Sequence, residues 1–387
     1  MNLKSPLITL MVITLLASPI WISHLIWRFG PERVLKLLVV DYSVPDDSYW
    51  NHKGLFFLLN HLRIIPPSGH GTWQLDSDYV GFDPKGNGRG TRISEVPLDA
   101  YDWLYLADTY GVHVRDRSPS DPAAVKNGFI FGGLSIEDAT ALASFSEKGN
   151  IISEFNSLSD PTPVEARHIV ADIMGIDWVG WAGRFIVNFA EVPKEYPWFV
   201  ALYEAQYKKR PLPKGHGMML ISQDGRLVVL HGAVFERSMP TLMLTDLGRK
   251  WISQPVGMPP YYGWFGVVTP LAPKEGTEVL AEIVLPTPTG WREVYRQKGV
   301  PTRFPLVTRK RNHGRQYIDI SANISVVDEV PTHHGLAFLP KLLSTIHRRR
   351  DSQEHGPAFW QFFVPVMSKI LVDAAVEADN TPKGDPL

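Results

Sequence analysis

NGFIFGGLSIEDATALASFSEKGNIISEFN, residues 127–156, is the stretch that decides the fold. Its apolar run, paired glycines, acidic segment and second apolar run are typical of a strand, a tight turn, a helix and another strand. The strands are predicted at 129–131 and 150–153, with Gly132 and Gly133 in the turn that leads into the helix. The stretch therefore predicts a βαβ unit with two parallel strands.

The helix of this unit has a defined start and stop. Ser135 and Asp138 have the spacing of a capping box, in which each side chain bonds a free backbone N–H of the first turn. Gly149 is a typical residue for ending a helix. We therefore expect the helix to begin directly after Ser135 and to end before Gly149.

The same alternation of strands and helices extends to both sides of this unit. Apolar runs at 34–40 and 103–107 predict buried strands, and 49–62 predicts a helix. Downstream, Thr162-Pro163-Val164-Glu165, with Thr162 as the cap, predicts a helix that ends at Gly175. We therefore expect an α/β domain over 31–190, built on a doubly wound, mostly parallel, flavodoxin-like sheet.

The second half of the chain is predicted to be rich in strands. Asp224-Gly225 stands between two apolar runs, which is typical of a β-hairpin. Apolar helices are predicted at 336–349 and 358–378, where they would dock on the domain. We therefore expect a β-rich elaboration with docking helices over 191–378, followed by a disordered tail over 379–387.

Composition excludes several classes of function. Among 387 residues the net charge is −1, and 20% are charged, so no nucleic-acid partner is indicated. The absence of cysteine excludes a thiol nucleophile, a cysteine zinc site and disulfides. The histidines are not spaced as metal ligands, and no nucleotide-binding fingerprint is present. We expect no metal and no cofactor, and the sequence indicates no oligomeric state.

An apolar segment predicts a transmembrane anchor over residues 1–30. Between Lys4 and Arg28 lie 23 uncharged residues, enough to cross a hydrocarbon core of about 30 Å at about 1.5 Å per residue. A cleaved signal peptide is the alternative, but the apolar stretch continues past Ala17-Ser18-Pro19 to Trp27. We expect a single pass of residues 5–27 through the cytoplasmic membrane. Most of the chain would lie outside the cytoplasm, because long domains translocate largely regardless of nearby charge.

Polar residues follow the predicted strands at the edge where α/β sheets bind ligands. Glu154, Asp41 and Asp108 stand at such strand ends, and we predict them as catalytic carboxylates. The alternative for each is an acid that only bonds the backbone of the next turn. The residues predicted to bind substrate are His52, Thr109, Tyr110, Gly132, Gly133, Asn156, Trp181 and Arg184.

One motif resembles a known family. Phe131-Gly132-Gly133-Leu134-Ser135, an acidic capped helix, the Lys148-Gly149-Asn150 turn and the strand at 151–153 resemble the class I glutamine-amidotransferase-like group, including its ThuA-like and β-galactosidase-associated relatives. The resemblance covers about residues 34–190 and implies the same α/β fold, with Glu154 near the position of the family's nucleophile. Because the chain has no cysteine and no Gly-x-Cys-x-Gly elbow, it is not expected to be a glutamine amidotransferase.

Two functions follow from these observations. The first is an envelope enzyme, a hydrolase acting on glycans, in which Glu154 works with Asp41 or Asp108. The second is a non-catalytic, membrane-anchored binding or assembly component of envelope polysaccharide biogenesis. The enzyme requires two carboxylates about 5 to 10 Å apart across an open cleft. The binding protein requires a crevice in which backbone donors fully satisfy Glu154. The first function predicts a carbohydrate ligand, and the second predicts a ligand or partner in polysaccharide biogenesis.

Overall fold

The computed structural model describes residues 4–69, 71–86, 88–117, 128–208, 211–232, 235, 238–252, 255–271, 276–288, 290–349 and 355–380. The helices are α1 Lys4–Arg28, α2 Lys53–His61, α3 Val114–Arg117, α4 Ile136–Ser146, α5 Val164–Met174, α6 Val192–Glu195, α7 Pro197–Tyr207, α8 Asp246–Trp251, α9 Trp291–Lys298, α10 Leu339–Arg349, α11 Gly356–Ala358 and α12 Val364–Asn380. A π-helical turn, Phe359–Phe363, joins α11 to α12. Of the predicted tail, residues 381–387 lie outside the described residues.

The strands form two larger sheets and two small pairs. They are β1 Arg33–Val34, β2 Leu37–Asp41, β3 Ile64–Ile65, β4 Val80–Gly81, β5 Trp103–Asp108, β6 Val112–His113, β7 Phe129–Phe131, β8 Asn150–Glu154, β9 Ile176–Ile186, β10 Gly217–Ser222, β11 Leu227–His231, β12 Thr241–Leu244, β13 Trp264–Pro270, β14 Thr277–Val284, β15 Arg303–Asn312 and β16 Arg315–Ile320. The larger sheets have the orders β12-β14-β15-β16-β8-β5-β2-β4 and β11-β10-β9-β13. The small pairs are β1-β3 and β6-β7.

The eight-stranded sheet is mixed. Strands β16, β8, β5, β2 and β4 form a parallel run, whereas β12, β14, β15 and β16 pair antiparallel in sequence, so that β16 is parallel to β8 and antiparallel to β15. The fold is therefore a mixed α/β fold, and the flavodoxin-like arrangement stays a prediction. The boundary predicted at residue 190 does not separate two sheets, because β16 hydrogen-bonds to β8. The apolar side chains of β16 are buried, and they need this shared sheet to leave water.

Two apolar layers cover the faces of this sheet. On one face, β2, β5 and β8 pack their alternate side chains against α2 and the helix that contains α12. On the other face, the remaining alternate side chains pack against α4 and α5. Since all five residues of β2 are buried, the strand reads as a continuous apolar run, as predicted for a strand covered on both faces.

Local helix signals are confirmed at one helix and only partly at the next. The Ser135 side chain accepts from the backbone N–H of Asp138, and Asp138 accepts from that of Ser135, which is the predicted capping box. Gly175 ends α5 in the left-handed conformation, as predicted. The prediction that Thr162 caps α5 is wrong, because its hydroxyl accepts from the backbone N–H of Leu134 instead. Pro163 occupies the cap position without a side-chain bond.

The predicted anchor segment forms a helix, α1, with a largely exposed apolar surface over its described side chains. Among the described residues, one helix has the length and composition to cross a membrane, namely Gly356–Ala378. It is 67% buried inside the protein, which is typical of the core helix of a soluble domain. A membrane span at α1 therefore stays a prediction.

Candidate functional site

The parallel strands bring the predicted carboxylates together at one edge of the sheet. Asp41 at the end of β2 is the register partner of Asp108 at the end of β5. Strand β8, which ends at Glu154, lies on the other side of β5. Because parallel strands end at the same edge, these three acids lie on adjacent strands, as their positions in the sequence predict.

Asp41 forms a closed pair with His52. The Nδ1 atom of His52 lies 2.7 Å from Oδ2 of Asp41, and its Nε2 atom lies 3.0 Å from the carbonyl oxygen of Leu75. The other oxygen of Asp41 accepts from the backbone N–H of Ser43 at 2.9 Å. A carbonyl oxygen only accepts, so Nε2 carries a proton and no ring nitrogen is left to face a ligand. The pair therefore holds the turn before α2, and the catalytic role of Asp41 stays a prediction.

Glu154 is also enclosed. One carboxyl oxygen accepts from the hydroxyl of Tyr105, and the other accepts from the backbone N–H of Ser325 at 2.8 Å. The residue is 1% exposed, and burial raises the pKa of Glu154 to about 7. The binding hypothesis predicts backbone donors on both oxygens, whereas a backbone donor holds one oxygen and a tyrosine side chain holds the other.

Asp108 is the middle member of the acid cluster formed by Asp41, Asp108 and Glu154, because β5 lies between β2 and β8. Its Oδ1 accepts from the hydroxyl of Ser43 and from the backbone N–H of Tyr110, both at 2.7 Å. Its Oδ2 accepts from Nδ2 of Asn156 at 3.1 Å. Burial, and then the charge of Asp41, raise the pKa of Asp108 to about 7. Because Asp108 is 6% exposed, it is the least enclosed of the three predicted acids.

Asn156 has a strained backbone at the start of the loop that follows β8. Its φ is 73°, in the left-handed region that asparagine tolerates better than most residues. Ser159 donates to its side-chain oxygen at 3.2 Å, and Thr109 donates to its backbone carbonyl at 3.3 Å. These contacts hold the side-chain amide against Asp108. Strain of this kind is common at functional sites, where the surrounding structure must maintain it.

The paired glycines bring a second loop against this cluster. Gly132 has a φ of 139°, and a Cβ atom there would overlap the backbone of Gly111. Gly133 has a φ of 59°, and its N–H donates to the carbonyl of Thr109 at 2.7 Å. Only glycine permits this close crossing of two backbones. The turn predicted from the sequence therefore lies directly beside the end of β5.

An open cleft of about 470 Å³ adjoins the turn. It is lined by Arg92, Ser94, Phe129, Gly132, Gly133, Leu134, Ser135, Glu137, Pro161 and Pro163. Its wall depends on Asp138, which accepts from Nε of Arg92 at 2.9 Å and from the hydroxyl of Ser94 at 2.8 Å. Arg92 is therefore neutralised, whereas Glu137 and the ring of Phe129 are exposed.

Trp181 and Arg184 belong to a different part of the molecule. Both lie on β9 in the four-stranded sheet, and Trp181 is buried in the apolar core. Nε of Arg184 donates to the carbonyl of Tyr262 at 3.1 Å, and its guanidinium also donates to the hydroxyl of Tyr196. These contacts engage the guanidinium of Arg184 within its own sheet, and the predicted role of Arg184 in substrate binding stays a prediction.

Sequence reasoning missed another acid near the cluster. Asp319 on β16 lines a cavity of about 30 Å³ together with Asn156, Ser157 and Trp178. Burial, and then the charge of Glu154, raise the pKa of Asp319 to about 8. No donor in the described part of the chain bonds its Oδ2 atom. The sequence signal that could have identified Asp319 is an acidic residue within the apolar pattern of a strand.

The cleft wall and the acid cluster depend on further residues that the sequence did not identify. Ser43 bridges Asp41 and Asp108, while Tyr105 and Ser325 enclose Glu154. Each is an ordinary polar residue within or beside a predicted strand or loop. Within the described residues, no group of three or more His, Asp or Glu side chains is arranged to hold a metal ion.

Comparisons with known proteins find only distant similarity. No protein-family model matches the chain, and no curated protein matches it either. Solved structures that are similar include the carbohydrate deacetylase Agd3, at 11% identity and a TM-score of 0.31, over 76% of this chain and 30% of that one. The β-galactosidase from Bacillus circulans sp. alkalophilus is 12% identical at a TM-score of 0.31, over 81% of this chain and 31% of that one. The chain therefore spans less than a third of the length of these two enzymes.

A ThuA-like protein from Bacteroides uniformis is closer to this chain in length. It is 11% identical at a TM-score of 0.32, over 85% of this chain and 97% of that one. Neighbours of the chain thus include carbohydrate-acting enzymes and a ThuA-like protein. TM-scores near 0.3 do not establish a shared fold, so the amidotransferase-like resemblance stays a prediction.

Proposed function

We propose that this protein binds a carbohydrate in the open cleft beside the Gly132-Gly133 turn and is held at a membrane by α1. The observation that carries the proposal is the cleft itself, whose volume of about 470 Å³ is within the range of small-molecule sites. Residues 129–137, from the stretch on which the fold prediction rests, also form one wall of this cleft.

The chemistry of the cleft suits a sugar. Phe129 is 49% exposed, so its ring offers an apolar surface on which a pyranose can stack. Glu137, Ser94 and Ser135 provide a carboxylate and hydroxyls around it, and these groups hydrogen-bond sugar hydroxyls. Arg92 is already paired with Asp138, so none of the described residues that line the cleft offers an unpaired guanidinium, which supports a neutral ligand over an anionic one.

The state of the acids supports binding over catalysis. Asp41 and Glu154 are buried with partners on both carboxyl oxygens. A glycan hydrolase requires two carboxylates that reach the scissile bond from an open cleft. Neither of these acids lines the cleft. Their role in this proposal is to fix the strand ends that position the cleft.

Glycan-array screening of the full chain, followed by calorimetric titration of the best ligand, tests this proposal. We expect Phe129→Ala and Glu137→Gln each to weaken binding about tenfold or more, because each removes a direct contact. Glu147→Gln is the matched control, since Glu147 is exposed beyond the other end of the same helix. Failure of the wild type to bind any glycan, or equal affinity of all variants, would overturn the proposal.

The membrane part of the proposal is supported by the surface of α1. Its exposed apolar side chains include Leu15 and Leu16, the latter 74% exposed, and Trp21. We propose that α1 spans the membrane and that most of the chain lies outside the cytoplasm. The full chain should stay with membranes after an alkaline carbonate wash, and joint replacement of Leu15 and Leu16 by Lys should release it. Lysine at the exposed Leu247 and Leu271 is the control, which should leave the protein in the pellet.

A second candidate function is glycan hydrolysis with Asp108 as the general acid. The favouring observation is the pKa of Asp108, raised to about 7, beside the strained Asn156. Because Asp108, like the other two acids, does not line the cleft, this candidate requires a substrate that reaches the ends of β2 and β5 from it. If this candidate holds, the wild type cleaves the bound glycan, and Asp108→Asn binds it without cleavage. Binding without cleavage by the wild type favours the binding function.

A further inference from the structure

Helix α10 has one broad apolar face, only part of which is packed. Leu339 is buried and Leu343 packs against the main core. On the adjoining part of this face, Phe338, Leu342 and Ile346 are 36%, 45% and 43% exposed. Residues four apart lie above one another on a helix, so these three form one stripe. An apolar stripe left exposed beside the packed residues calls for an occupant.

The stripe begins beside the end of α1. The backbone N–H groups of Ala337 and Phe338 donate to the carbonyl and to the hydroxyl of Ser23, both at 3.3 Å. Nδ1 of His24 lies 2.9 Å from the carbonyl oxygen of Gly335. The segment leading into α10 is therefore tied to the last turns of α1. The apolar surface of α1 continues there, because Ile26 and Phe29 are also exposed.

The charge on α10 is positive. Lys341 is exposed, Arg348 and Arg349 end the helix, and its sequence contains no acid. Lys341 also lines a groove of about 850 Å³ to which α12 contributes Lys369, which is paired with Asp373. A basic helix with an exposed apolar stripe is typical of proteins that lie on an anionic membrane surface.

We propose that the exposed face of α10 rests on an anionic lipid bilayer, with Phe338, Leu342 and Ile346 in the headgroup region. The inference rests on the proposed membrane attachment through α1, and it adds a second contact that fixes how the domain lies on the bilayer. Two membrane contacts hold a domain in one orientation, whereas a single helical tether does not. The exposed Lys341 side chain would meet lipid phosphates, which attract juxtamembrane basic residues.

Single-cysteine labelling tests the proposal, because the chain contains no native cysteine. A polarity-sensitive fluorophore is attached to Leu342→Cys or Ile346→Cys in the full chain, placed in nanodiscs of phosphatidylcholine alone or mixed with phosphatidylglycerol. The matched control is Leu247→Cys, an exposed leucine on α8, and Leu16→Cys reports insertion of α1. We expect iodide quenching at 342 and 346 to be about fivefold weaker than at 247 in anionic discs.

Charge reversal separates lipid contact from protein contact. Lys341→Glu, Arg348→Glu and Arg349→Glu together should remove the protection at 342 in anionic discs. The same change at Arg292, Arg296 and Lys298 on α9 is the control and should have no effect. Protection that varies with protein concentration and not with lipid charge would overturn the proposal, because it would indicate a protein partner.

The two membrane contacts can fail separately. If the label at residue 16 is protected from iodide and the label at residue 342 is quenched like that at residue 247, α1 is an anchor and the proposal for α10 is overturned. If the label at residue 342 is protected in anionic discs while the label at residue 16 is quenched, the α10 contact stands and the proposal that α1 spans the membrane is overturned. Quenching at both positions overturns both.

Discussion

His52 and Asp41 form a fully buried pair, with Nδ1 of the histidine 2.7 Å from Oδ2 of the carboxylate. The histidine ring also packs against Phe56 and Tyr79, with ring centroids 4.8 Å and 4.6 Å away. The pair therefore joins the end of β2 to the start of α2 and to the loop that contains Leu75. Removal of one partner leaves a buried polar group without its counterpart.

We predict that Asp41→Ala lowers the free energy of unfolding by about 3 to 5 kcal/mol, the usual cost of breaking a buried pair. Urea unfolding followed by circular dichroism measures the change. Asp246→Ala is the matched control, since Asp246 pairs with Arg249 on the surface and should matter far less. Equal losses in the two variants would show that the buried pair has no special structural role.

The buried acids predict an unusual dependence of stability on pH. The pKa of Glu154 is raised from 4.5 to about 7 in the folded protein, so the fold keeps a proton that the unfolded chain has released. Stability from this group is therefore full below about pH 4.5 and is lost as the pH rises through about 7. The slope is about 1.4 kcal/mol per pH unit for each such group. Asp108 and Asp319 act in the same direction.

Glu154→Gln should remove part of this slope. Urea unfolding at pH 5 and pH 7 should show a smaller loss of stability with rising pH in the variant than in the wild type. Glu293→Gln serves as the control, because Glu293 is on the surface and paired with Arg296. An unchanged slope in Glu154→Gln would mean that Glu154 ionises normally in the fold.

Local structure follows from sequence where neighbouring residues decide it. The capping box of Ser135 and Asp138 and the hairpin turn at Gly225 depend only on nearby residues, and both are found where the pattern predicts them. Thr162 shows the limit. Its hydroxyl bonds Leu134, 28 positions away, and a competing partner at that distance cannot be predicted from a cap motif.

Long-range pairing explains most of what the sequence did not predict. The meeting of Asp41 and Asp108 could be predicted, because the alternation of strands and helices indicates parallel strands, and parallel strands end at the same edge of a sheet. The enclosure of Glu154 by Tyr105 and Ser325 requires the register of two sheet neighbours and the position of a distant loop. No pattern near Glu154 carries that information.

The backbone crossing at Gly132 predicts a strong intolerance of side chains. A Cβ atom at Gly132 would overlap the backbone of Gly111, and its φ of 139° is a conformation that other residues rarely adopt. We expect Gly132→Ala to lower the free energy of unfolding by about 3 kcal/mol or more, through overlap and strain together.

Gly225→Ala separates the two causes. Gly225 also has a positive φ, of 77°, but no atom of the described residues lies within 4 Å of the added Cβ. The control should therefore lose only about 1 kcal/mol from strain. Equal losses in urea unfolding would show that the crossing at Gly132 tolerates a side chain.

Asn156 should be important both for its left-handed backbone and for its bond to Asp108. Asn156→Gly removes the bond but relieves the strain, whereas Asn156→Ala removes the bond and keeps the strain. We therefore expect the Ala variant to be about 1 kcal/mol less stable than the Gly variant. Both should raise the pKa of Asp108 above its value of about 7, because the amide of Asn156 lowers it in the wild type.

Urea unfolding and carbon NMR of the Asp108 carboxyl measure the two effects. His313 is the matched control, since its φ of 47° is also left-handed but it lies in the β15–β16 turn. His313→Ala and His313→Gly should differ in stability by a similar amount while the titration of Asp108 stays unchanged. If Asp108 titrates alike in both Asn156 variants and the wild type, the hydrogen bond at 3.1 Å does not stabilise its charged form.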